Sequence, residues 1–169
     1  MNGILNFERD ARQNIILLAP IGCLTANNNL KISMQIGLWN CETELGVAFA
    51  STTGFTLPNG SVRSPVVSWI RNDRWEMLSE DETERFAPIC PDFLIEIRSN
   101  ASELKYLRDK MEEYILNGTQ LAWLIDRFDK NVYIYRTGKP VEIHDRLEVL
   151  LSGESVLPGF TLDLGAVIK

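Results

Sequence analysis

The chain has 169 residues, 45% of them apolar, which is the size and apolar content of one domain with its own core, here taken as residues 1–169. Its 23 acidic and 17 basic side chains leave a net charge of −6, which excludes a broad basic face for non-specific nucleic-acid binding but not a local basic groove. A single histidine, His144, excludes a histidine-rich zinc site and leaves carboxylates, lysine, arginine and a hard divalent ion as the available chemistry.

In chain order, Gln13–Leu18 is expected to be a short extended segment ending at Pro20. The longest apolar stretch, Ile15 to Leu24, contains Pro20 and Gly22, falls well short of the ~20 residues of a membrane span, and lacks the basic start of a signal peptide. Cys23, Cys41 and Cys90 are widely spaced with no C-x-x-C pair, as expected of reduced thiols in a cytoplasmic protein without membrane contact. Thr25 is positioned as the N-cap of a first helix, whose apolar stripe is Leu30, Ile32, Ile36 and Trp39. Gly46 to Leu57 has strand composition, Pro58-Asn59-Gly60 supplies a turn, and Val62 to Ile70 follows as the hairpin partner. The charged stretch from Asn72 to Ala87 is expected to be an irregular connection anchored by Trp75.

Asp92-Phe-Leu-Ile-Glu-Ile97 is then a short buried strand. Asn100 with Glu103 three residues later resembles a capping box, opening a helix whose apolar face is Leu104, Leu107, Met111, Tyr114 and Ile115 and whose end is Gly118. Leu121–Ile125 is another buried strand, so strand, helix and strand form a βαβ unit with a parallel pair. Val132–Arg136 and Val141–Ile143 read as a late hairpin. The expected fold is α/β, a mixed sheet flanked by helices. It is not a dinucleotide-binding or P-loop fold, since neither G-x-G-x-x-G nor the P-loop motif occurs.

Glu96 stands out, because a carboxylate inside Phe93-Leu-Ile-Glu-Ile97 is costly to bury without a partner or a metal. Arg98 lies two residues further along the same face, while Asp92 is about 13 Å from Glu96 along the strand, too far to share one ion, and is expected to cap the strand's start. Lys110 lies on the flank of the following helix, where its side chain can reach back over the sheet end. Asp126 is expected to cap a turn, and His144 to be a surface residue.

The strings Leu57-Pro-Asn-Gly-Ser-Val-Arg-Ser-Pro65, Pro91-Asp-Phe-Leu-Ile-Glu-Ile-Arg-Ser99, Lys110-Met-Glu-Glu-Tyr-Ile-Leu-Asn-Gly118 and Trp123-Leu-Ile-Asp126, in this order, resemble the Uma-two family of restriction endonucleases, in the PD-(D/E)XK nuclease superfamily. The resemblance runs from about Leu17 to the Leu157-Pro-Gly-Phe160 region. It implies a restriction-endonuclease-like core of helix, three strands, helix and strand, with an added C-terminal hairpin, and hydrolysis of DNA phosphodiesters dependent on Mg²⁺ or Mn²⁺. By the same resemblance Glu96 is the metal-ligating acid, Lys110 the catalytic lysine and Arg98 an auxiliary electrostatic candidate. The hairpin-strand acid that follows the family's R-S-P is Val66 here, a degenerate position that leaves the ion weakly bound, with Ser64 and Ser68 as nearby oxygens on the same face. The N-terminus starts short of the usual family beginning, so an accessory acid from that region is expected to be missing. Arg63, Arg71, Lys105 and Arg108, together with Arg74, are candidates for a local nucleic-acid groove. The resulting expectation is an endonuclease impaired by Val66. The alternative is a catalytically inactive relative that binds nucleic acid or protein. Family resemblance also makes a homodimer plausible, with the hairpin from Val132 to Ile143 at its interface.

Overall fold

Alternation of apolar and polar side chains, interrupted by two long helical periods, builds a mixed sheet with a helix against each face. The computed structural model describes residues 7–100 and 103–168. Its elements in chain order begin with β1 (Phe7–Arg9), β2 (Ile15–Leu17), α1 (Cys23–Thr43), β3 (Gly46–Ala50), β4 (Phe55–Thr56), β5 (Val62–Arg63) and β6 (Val67–Arg71). Two single-turn helices follow, α2 (Asn72–Trp75) and α3 (Glu80–Thr83), then β7 (Phe93–Ile97), α4 (Leu104–Leu116), β8 (Leu121–Asp126), β9 (Asn131–Arg136) and β10 (Glu142–His144). The chain ends in β11 (Leu150–Ser152), β12 (Thr161–Asp163) and α5 (Leu164–Val167).

The main sheet has the order β10-β9-β8-β7-β6-β3, and within it only β7 and β8 run parallel. That parallel pair requires a crossover, which α4 supplies. Successive residues of β7 face opposite ways, so Phe93, Ile95 and Ile97 join Ile32, Ile36 and Trp39 of α1 in one core, while Leu94 joins Leu107, Met111 and Tyr114 of α4 in the other. The expected α/β class with a mixed sheet flanked by helices is the observed one, and the β9–β10 hairpin extends that sheet.

Five local expectations change, the first being Leu30, which lies not on the buried stripe of α1 but exposed on the opposite side of the helix. Thr25 does not cap α1: Gly22 holds the N-cap position, and Thr25 is buried, accepting a hydrogen bond from Arg127 at 2.8 Å. The helix starts earlier because Thr25 shares the inward face with Ile32 and Ile36. Glu103 holds the N-cap position of α4 without a side-chain cap, so no Asn100 box forms there; a capping box occurs instead at Ser79 and Glu82, ahead of α3. The expected long hairpin is divided between two sheets, with β4 and β5 pairing around the turn and β3 pairing with β6 in the main sheet. Finally, β5 also pairs with β1, which gives the second sheet the order β2-β1-β5-β4. The break at Ser64-Pro65 permits this, because proline cannot donate to a ladder.

Trp75 anchors its stretch as expected, its ring centroid 5.0 Å from that of Phe49. A third, two-stranded sheet of β11 and β12, unforeseen in the sequence, brings Leu151, Leu157, Phe160 and Leu162 into the α1-side core, where the Phe160 and Trp123 rings stack at 6.3 Å. Among the described residues no helix is long and apolar enough to cross a membrane.

Gly46 opens β3 where a Cβ would run into the Ile70 carbonyl and the Trp69 ring. Gly46→Ala should therefore destabilise the fold by about 1–3 kcal/mol, measurable as a lowered denaturant midpoint with an unchanged slope.

Candidate active site

Glu96 lies on the α4 face of β7, and α4 returns over that face on its way to β8. Lys110 is one position from Met111 on the inner side of the helix, so its stem packs inward and its amine reaches the strand. Lys110 Nζ lies 2.6 Å from Glu96 Oε1 and 2.6 Å from Oε1 of a second carboxylate, Glu8. The Tyr114 hydroxyl donates to Glu96 Oε1 at 3.3 Å. Glu8 is 0%, Glu96 4% and Lys110 5% exposed, so the trio is closed to solvent.

Glu8 is the residue that sequence reasoning missed. An acid from the N-terminal region does reach the cluster, delivered by β1. Its Oε1 accepts from the Ser64 amide at 2.9 Å, and its Oε2 accepts from Arg63 Nη1 and the Tyr106 hydroxyl, each at 3.2 Å. The local signal is slight. Phe7-Glu8-Arg9 alternates, and Asp10 closes the following turn by accepting from the Arg12 and Asn14 amides, but nothing in that pattern says which side of the hairpin is covered.

Arg63 also departs from expectation. It is 5% exposed and bonds Glu113 at 2.6 Å as well as Glu8, so it braces the acid cluster from inside and offers no charge to a surface groove.

The electrostatics follow from burying two acids around one amine. Burial pushes the Glu96 carboxyl above its usual range, and the negative charge of Glu8 adds to the rise, against the downward pull of Lys110. Burial raises Glu8 too, but Lys110, the Ser64 amide and Arg63 together outweigh it and hold Glu8 below the usual range. For Lys110 burial favours the neutral amine, yet Glu96 and Glu8 prevail and hold it protonated well above the ordinary lysine range. Tyr106 is pushed up to about 12, by burial and then by the charge of Glu8.

Val66 lies one residue outside the β6–β7 ladder, which ends where Val67 pairs with Ile95. Val66 is half-buried and packs against the α1-side core. The expected shared face of Ser64, Val66 and Ser68 is lost at Pro65. The Ser64 hydroxyl bonds the Ser51 and Thr53 carbonyls, each at 2.9 Å, whereas the buried Ser68 hydroxyl has no hydrogen-bond partner. Among the described residues no three His, Cys, Asp or Glu side chains group into a set able to hold a metal ion. A Mg²⁺ ion requires near-octahedral oxygen coordination at 2.0–2.1 Å. Two carboxylates clamped on one ammonium do not fit it.

The remaining predicted residues fall outside this trio. Arg98 ion-pairs with Asp126 at 2.7 Å and Asp129 at 2.8 Å, at the sheet end. Asp126 caps its turn as expected, accepting from the Phe128 and Asp129 amides. Asp92 braces the start of β7, accepting from the Arg71 amide, Arg74 and Gln120. Arg71 pairs with Asp73 and Lys105 with Asp109 on the surface, while Arg108 lies over the Tyr133 ring at 5.5 Å. His144 pairs with Glu142 at 2.9 Å on the edge strand β10.

The arrangement of mixed sheet and flanking helices is that of the restriction-endonuclease-like class. The chain resembles the crystal structure of a "putative nuclease belonging to DUF820" from Anabaena variabilis, with a TM-score of 0.78 and 22% identity, covering 95% of this chain and 88% of that one. The Uma2 family model, described as "Putative restriction endonuclease", matches residues 2–165, and the chain belongs to that family. No curated protein matches it.

Removing the amine should leave two buried acids facing each other. Lys110→Met is expected to destabilise the protein at pH 7 by about 3–5 kcal/mol. Without the lysine the buried acids bind protons more tightly folded than unfolded, so the variant gains stability as pH falls toward the unfolded carboxylate pKa. Melting curves at pH 7 and pH 5 should therefore show the gap to wild type narrowing at pH 5.

Proposed function

We propose that the chain is an endonuclease of the PD-(D/E)XK type in which Mg²⁺- or Mn²⁺-dependent hydrolysis of DNA is impaired. Glu96 is the retained metal-ligating carboxylate, Lys110 the retained catalytic lysine and Arg98 an auxiliary charge near the sheet end. The observation that carries this reading is the clamping of Lys110 between Glu96 and Glu8, with an aliphatic residue, Val66, standing just before β6 where the resemblance asks for an acid. Hydrolysis of this type relies on an ion to activate water and offset phosphoryl charge, and a site short of one carboxylate holds such an ion poorly. Lys110, protonated across the neutral range, acts there as a fixed positive charge and not as a base.

A second reading, a catalytically inactive relative that binds a macromolecule, draws support from the charge pairing. Arg63, Arg71, Arg74, Arg98 and Lys105 each have a carboxylate partner within 2.8 Å. A groove whose cations are already neutralised attracts phosphates weakly, which favours a protein partner over DNA.

Plasmid nicking with Mg²⁺ or Mn²⁺ separates the readings. Wild type should nick DNA at background level, as should Glu96→Ala and Lys110→Ala, and Val66→Asp should raise nicking at least tenfold if only the ligand has been lost. Robust wild-type nicking abolished in Glu96→Ala would overturn the impaired-site reading. Background nicking in every variant would favour the binding module.

A further inference from the structure

Helix α1 is apolar on two opposite sides. Its inward side, with Ile32, Ile36 and Trp39, is buried in the core. Diametrically opposite runs a second row at the spacing of a coiled-coil seam, namely Cys23, Asn27, Leu30, Met34, Gly37 and Cys41. Leu30 is 58% and Met34 54% exposed, with Leu38 flanking them at 58%, and both cysteines are exposed. A Cβ at Gly37 would meet nothing within 4 Å, so a neighbour can approach closely there. The helix has two charged residues, Lys31 and Glu42, both off this row, and the Lys31 amine donates to the Val167 carbonyl at 3.3 Å.

We infer that this face pairs antiparallel with the same face of a second copy of the chain. Three features select that occupant. A phosphate backbone or an acidic peptide needs cations, and the row has none. A two-fold axis brings each patch onto itself, which like charges would oppose and an uncharged seam tolerates on a molecule of net charge −6. With Leu24 and Leu38 the row exposes apolar surface on the order of several hundred Å², at the limit for a monomer and a large part of the ~800 Å² per partner of a stable interface. The edge strand β10, where a partner was expected, exposes only one large apolar side chain, Ile143.

The spacing also sets the register. With the two-fold axis level with Ile32, Leu30 of one copy meets Met34 of the other, Asn27 meets Gly37, and Cys23 meets Cys41. Small and large side chains then alternate along the seam as knobs and holes require. Within one chain Cys23 and Cys41 are about 27 Å apart along the helix, too far to join.

Light scattering on the intact chain at micromolar concentration should give twice the chain mass, and Met34→Glu should give the monomer with unchanged far-UV circular dichroism. Oxidation with copper phenanthroline should link wild type into a covalent dimer. Cys23→Ser alone and Cys41→Ser alone should each lose the link, and an equimolar mixture of the two should regain it. A monomeric wild type, or a dimer that survives Met34→Glu, overturns the interface. Covalent dimers formed by either single variant alone overturn the antiparallel register. Neither result depends on whether the chain cleaves DNA.

Discussion

One ammonium group holds together segments from three parts of the chain. Lys110 draws Glu8 from the N-terminal hairpin and Glu96 from the central strand to the same 2.6 Å distance. Burying three charges is expensive, and it is tolerated here because Arg63 and the Tyr106 hydroxyl bond the second Glu8 oxygen, while the Ser64 amide and the Tyr114 hydroxyl add to the oxygens that Lys110 holds. The N-terminal hairpin has few other attachments to the body, chiefly the pairing of Arg9 with Val62 and a hydrogen bond from Arg9 to Gly60. Its position therefore depends on the charge at its centre.

The same cluster shows how this fold accommodates two buried acids. In a site built to bind an ion, acids converge and repel one another until the cation arrives. Here the lysine already occupies the space between two acids, and Val66 packs against the hydrophobic core. The cluster is thus neutralised from within, and the valine adds apolar contact.

Helix α1 carries a different constraint. Its inward face completes the core opposite the active-site helix, and its outward face is apolar where a monomer would be expected to carry charge. A helix apolar on opposite sides is covered on both when the protein is assembled. The interface and the acid cluster lie on opposite faces of the main sheet, since α1 packs on one face and α4 on the other.

The order of the core elements, the βαβ unit and the need of a buried Glu96 for a partner were legible in the sequence. Each depends on local periodicity or on a carboxylate set in an apolar run, and such signals survive without knowledge of distant contacts. The sequence could not show that Pro65 divides one predicted hairpin between two sheets, that Arg63 turns inward, or that Glu8, among 23 acidic residues, is the one that meets Lys110. Those outcomes depend on contacts between residues 55 and 102 positions apart, and only the folded chain determines which side of a short strand is covered.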